Sequence, residues 1–125
     1  MIHLKNAEKN SVIASVRNHQ LVADTEEALG GNDLGMNPHE ILETALAACT
    51  SLTLKMYARR KQMKLNEVKV EVHTVSEGKE SVLSRKIELI GDLSEDEKSR
   101  LMEIAGKCPI HKLLTSQISI QTERI

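Results

Sequence analysis

The apolar positions change period several times along the chain, and each change marks an element. Residues 11–17 (SVIASVR) and 19–24 (HQLVAD) are short β-rich runs on either side of Asn18, which predicts a hairpin. Residues 25–37 break the pattern, with Gly30, Gly31 and Gly35 standing among Asn32, Asp33 and Asn37 as in a loop. Pro38 then opens a long helix capped by Asn37, because proline suits the first helical position and an asparagine oxygen accepts a backbone N–H there. From residue 38 to residue 61, Ile41, Leu42, Ala45, Leu46, Ala48, Cys49, Leu52 and Met56 recur at three- and four-residue steps, as on one helical face. Residues 44–53 carry no charge, which predicts burial on most sides of the helix. Lys55, Arg59, Arg60 and Lys61 crowd its end, where the helix dipole favours cations.

Beyond this helix the period becomes two. In residues 67–75, Val68, Val70 and Val72 share one face and Lys69, Glu71 and His73 the other, which predicts a half-buried strand. A turn around Gly78 leads to residues 82–91, its antiparallel partner, with Ile87 and Leu89 inward. Ser94 and Glu97 have the spacing of a capping box, and Leu101, Ile104 and Ala105 form the apolar stripe of a second helix that Gly106 ends. Pro109 starts a third, short helix through His111, Leu113 and Leu114, with Cys108 as its cap, and residues 118–121 (ISIQ) read as a closing strand. This order predicts an α+β fold, an antiparallel sheet packed on a long central helix, within a single domain over residues 1–125.

Composition narrows the partners. Phe and Trp are absent and Tyr57 is the only aromatic residue of the 125, so aliphatic side chains must build the core. Such side chains bury less area each, which gives the chain a reason to pair with a second copy. With 17 basic and 18 acidic residues the net charge is -1, which offers nothing to nucleic acid or an anionic membrane. The first ten residues hold no apolar run and no stretch reaches membrane-spanning length, so a cytoplasmic protein is expected. In a reducing compartment two cysteines suggest transient redox chemistry more than a static staple.

Cys49 lies among the small residues Ala47, Ala48, Thr50 and Ser51, which leave room beside its thiol. It reads either as a small buried hydrophobe or as a nucleophile, and a mid-helix thiol needs a cation from elsewhere to ionise. Cys108 reads either as a simple cap or as a low-pKa thiol, set between Lys107 and the pair His111 and Lys112. Zinc would call for four ligands, and the Cys108-x-x-His111 pair stands alone beside the scattered His3, His19, His39 and His73. No metal or cofactor is expected. The serines lack a nucleophile elbow, and the glycine-rich loop lacks the Lys-Ser/Thr of a phosphate loop.

Together, Asn37-Pro38, the helical run ending Ala48-Cys49-Thr50, and Cys108-Pro109-Ile110-His111 resemble the OsmC/Ohr family of osmotically inducible and organic hydroperoxide resistance proteins. The resemblance runs from about residue 11 to the end of the chain. It implies an intertwined homodimer with buried central helices and active sites made from both subunits. It also implies a thiol-dependent peroxidase in which Cys49 attacks a small organic hydroperoxide or hydrogen peroxide, Cys108 resolves, and a dithiol such as a lipoyl group regenerates the pair. Cys49 would then be the buried attacker and Cys108 the more exposed, low-pKa partner. The family's peroxidases carry a glutamate directly after Asn-Pro and an arginine on the N-terminal strands. Here His39 occupies the glutamate position, and Glu40 lies one residue on, about 100° round the helix. Lys9 or its neighbours fall near the arginine position, and Arg17 is the closest arginine in sequence. Arg17, His39 and Glu40 are therefore the candidates to orient the thiolate. The altered positions also motivate an alternative, a redox-sensing or small-ligand-binding module of this family without efficient turnover.

Overall fold

The first two strands to pair do so without an apolar stripe to guide them. In the computed structural model, which describes residues 1–125, β1 (His3–Asn6) is exposed along its length and is held by its antiparallel register with β2 (Val12–Val16). The β2 strand also pairs with β3 (His19–Ala23) across the two-residue turn Arg17-Asn18, as the hairpin pattern predicts. Sequence pattern misses β1 because none of its side chains is buried. In the loop that follows, the Asp24 carboxylate accepts N–H bonds from Thr25 (2.8 Å), Asn32 (3.1 Å) and Leu34 (3.2 Å). A single 3-10 turn, Glu27–Leu29, ends on Gly30 at a positive φ of 89°, a conformation glycine adopts without a Cβ clash.

These strands and the first turn of helix α1 (Pro38–Arg60) belong to one compact unit, Met1–Glu43; the second is Thr44–Ile125. In the second unit the long strands β4 (Lys64–Ser76) and β5 (Val82–Asp92) pair antiparallel, with Val68 opposite Leu89, Val70 opposite Ile87 and Val72 opposite Arg85. Helix α2 (Glu95–Ala105) starts at a complete capping box: Ser94 Oγ accepts from Glu97 N at 3.1 Å, and Glu97 Oε1 accepts from Ser94 N at 3.0 Å. Helix α3 (Pro109–Leu114) follows after Gly106.

The core of this unit is Leu54 and Ala58 from α1 with Leu101, Ile104 and Ala105 from α2, backed by Val68, Ile87 and Leu89 of the sheet. The fold is thus mixed α+β, with antiparallel sheets and three helices. No helix is long and apolar enough to cross a membrane.

Three expectations are corrected. The inward stripe of α1 is Leu46, Thr50, Leu54 and Ala58, while Leu42, Leu52 and Met56 are exposed on the chain by itself. A helix apolar on two faces gives a periodicity that cannot tell which face its own chain covers. The closing strand at residues 118–121 does not form, and Ile120 is 85% exposed. Its β-propensity found no neighbouring strand to pair with.

Candidate thiol site

The third correction concerns Cys108, which is fully buried, whereas Cys49 is only half-buried. Flanking lysines suggested exposure at Cys108, but α3 begins by turning this residue inward. Cys108 caps α3: its Sγ accepts from His111 N at 3.3 Å, with Pro109 at the first helical position. Cys49 sits one residue from the inward stripe of α1, and its Sγ accepts from Ile110 N at 3.5 Å. The start of α3 therefore holds both sulfurs, through two consecutive backbone N–H groups. Both cysteines are free.

A cation acting on Cys108 comes from β5. Arg85 Nη1 donates to Thr50 Oγ1 at 2.9 Å and to the Ala105 carbonyl at 3.2 Å, and Arg85 Nη2 lies 3.3 Å from His111 Nδ1. A guanidinium has only donors, so this last contact requires a lone pair on Nδ1 and places the proton of neutral His111 on Nε2. One side chain thereby ties the middle of α1, the end of α2 and the start of α3 together. Arg85 escapes a search for motifs, yet strand period gives it away. Leu83, Arg85, Ile87 and Leu89 share one face of β5, so a charge stands in an apolar row.

Burial works against ionising Cys108. The His111 N–H, the Cys49 thiol and the Thr50 hydroxyl, with the positive charge of Arg85, together outweigh it and hold this thiol below its ordinary pKa. Thr50 Oγ1 donates to the Leu46 carbonyl at 2.7 Å and accepts from Arg85 Nη1.

The other candidates lie in the first unit. Arg17 is exposed at the hairpin tip with a positive φ of 53°. Glu40 closes the N-terminal cap of α1, accepting from Asn37 N at 2.8 Å while Asn37 Oδ1 accepts from Glu40 N at 2.9 Å. His39 is exposed in the same first turn. Beside Arg85 and His111 opens a cavity of about 290 Å³, lined mainly by Leu46, Val82, Leu83 and Leu114. No cluster of three His, Cys, Asp or Glu side chains suited to a metal ion is present.

The OsmC-like protein family model matches residues 30–123, which include both cysteines and Arg85. The chain belongs to the OsmC-like family. Solved OsmC-like structures share its fold. An OsmC-like protein from Mycoplasma pneumoniae is 23% identical, with 91% of this chain and 85% of that one covered at a TM-score of 0.76. An organic hydroperoxide resistance protein from Elizabethkingia anophelis is 20% identical, with 92% and 88% covered at 0.65. The organic hydroperoxide resistance protein OsmC of Legionella pneumophila is also 20% identical, with 92% and 89% covered at 0.62. At these identities the likeness establishes the fold. No curated protein matches the chain.

Proposed function

We propose that this OsmC-like protein is a thiol peroxidase that reduces small organic hydroperoxides, or hydrogen peroxide, through Cys49 and Cys108. The observation that carries this reading is the meeting of two free cysteines at the start of α3, where Cys49 Sγ accepts from Ile110 N and Cys108 Sγ from His111 N, with Arg85 close to Cys108. The Cys49 thiolate attacks one peroxide oxygen: an S–O bond forms, the O–O bond breaks, and the alkoxide leaves as alcohol once it gains a proton. Cys108 then attacks the Cys49 sulfenic acid, forming the disulfide and releasing water. A dithiol such as a lipoyl group reopens the disulfide by exchange.

Arg85 supports this chemistry as the positive charge beside the thiols. Roles for Arg17, His39 and Glu40 in orienting the thiolate rest on the resemblance to the family's peroxidases. The active form is a cytoplasmic homodimer. The exposed Leu52 and Met56 of α1 support pairing, since a second copy would cover them.

Cys49→Ser is expected to abolish dithiol-dependent consumption of an organic hydroperoxide. Cys108→Ser is expected to leave Cys49 over-oxidised or in mixed disulfides. Wild-type rates in both variants contradict the reading. The second reading, a redox sensor or small-ligand module, draws on the apolar cavity of about 290 Å³ ending at Arg85 and His111. Stoichiometric oxidation of Cys49 without turnover favours it.

A further inference from the structure

Arg85 has hydrogen bonds to spare. A guanidinium offers five N–H groups, and three are taken, by Thr50 Oγ1 at 2.9 Å, the Ala105 carbonyl at 3.2 Å and His111 Nδ1 at 3.3 Å. All three acceptors are neutral. No carboxylate of the chain forms an ion pair with Arg85, although its charge stands in the apolar row of Leu83, Ile87 and Leu89. Cys108 feels that charge but accepts no hydrogen bond from the guanidinium. The Nε–H and the second Nη2–H therefore have no partner within the chain. His111 adds a further donor, because its Nδ1 lone pair is turned to Arg85 and the proton on Nε2 meets no acceptor of the chain. No buried polar side-chain atom lacks a partner, so these N–H groups are reachable from outside the protein.

Both side chains line the cavity of about 290 Å³, whose other walls include Leu46, Val82, Leu83 and Leu114. The cavity lies wholly within Thr44–Ile125. Leu46 is buried whereas Val82 is 51% exposed, so the space opens to solvent on the Val82 side. A charge without a counter-ion at the end of an apolar wall suits an anion that carries an aliphatic chain.

We propose that this cavity binds a small aliphatic monocarboxylate, its carboxylate on the spare N–H groups of Arg85 and His111 and its chain against Leu46, Leu83 and Leu114. This deepens the reading of the site as a small-ligand module, on which it rests, and requires no peroxide turnover. Charge and size both narrow the ligand. One guanidinium beside a neutral imidazole matches a single negative charge, whereas a phosphate monoester brings about -1.5 to -2. A carboxylate also accepts charge-assisted hydrogen bonds at both oxygens. The volume is at the small end of ligand cavities, which favours a short chain.

The test is isothermal titration calorimetry on the reduced full chain at neutral pH, with hexanoate, hexan-1-ol and acetate as probes. Hexanoate is expected to bind about tenfold or more tighter than hexan-1-ol, the worth of one charge-assisted hydrogen bond. Acetate is expected to bind weaker than hexanoate by about fourfold for each methylene that the cavity buries. Arg85→Met, shown by circular dichroism to be folded, is expected to weaken hexanoate about tenfold or more while hexan-1-ol is little changed. Arg85→Lys keeps the charge and is expected to recover part of the affinity. The comparison of probes on wild type decides the matter even where a variant fails to fold. Hexan-1-ol binding as tightly as hexanoate overturns the carboxylate assignment and leaves the ligand cavity standing. Binding of none of the three refutes the small-ligand reading itself. Acetate equal to hexanoate, or unchanged hexanoate affinity in folded Arg85→Met, overturns the placement of the ligand in this cavity.

Discussion

Arg17 and Arg85 both stand on antiparallel hairpins, but the middle of β5 and the tip of the β2–β3 turn treat an arginine differently. At the tip Arg17 is exposed, with the positive φ that a tight two-residue turn imposes. Its charge keeps its water and commits the fold to nothing. Arg85 falls on the inward row of β5, where a charge must find partners or pay a large desolvation cost. The partners it finds are a helix-end carbonyl, the hydroxyl beside Cys49 and the imidazole that follows Cys108.

The comparison breaks or holds first at these two side chains. Arg85→Met is expected to lower the reactivity of the thiol pair about tenfold or more at neutral pH. It is also expected to cost roughly 1–3 kcal/mol of stability, because the Ala105 carbonyl and Thr50 hydroxyl lose a donor. Arg17→Met is expected to stay within about 0.5 kcal/mol of wild type in stability, as surface changes do. Alkylation kinetics and denaturant melts read both. Equal loss of reactivity in the two variants would assign the orienting role to both arginines.

A smaller effect sharpens the same contrast at the start of α1. Glu40→Gln keeps the reciprocal cap with Asn37 but removes a negative charge from the helix N-terminus, and is expected to cost about 0.3–1 kcal/mol. The thiol profile is expected to be unchanged. A shift of that profile without a matching stability loss would place Glu40 at the thiols after all.

Much of this fold is legible in the residues, for local reasons. The Ser94 and Glu97 box, the Asn37-Pro38 and Cys108-Pro109 helix starts and the valine alternation of β4 each depend on neighbours within a few positions. What escapes is set at longer range. The β1 strand exists through its register with β2, and residues 118–121 show that β-rich residues without a partner stay irregular. The burial of Cys108 and the clamp by Arg85 arise where α1, α2, α3 and β5 close on one another. The two cysteines could be named from sequence. Their inverted burial and their cation required the tertiary arrangement.

The most direct measurement is the ultraviolet thiolate titration of Cys49→Ser, in which Cys108 is the sole thiol and serine still supplies a donor beside it. The donors and Arg85 outweigh the effect of burial, so Cys108 is expected to ionise below the ordinary thiol value of about 8.5, and adding Arg85→Met is expected to move it upward. A folded Cys49→Ser protein whose remaining thiol ionises at or above that value, with no response to Arg85→Met, would contradict the account.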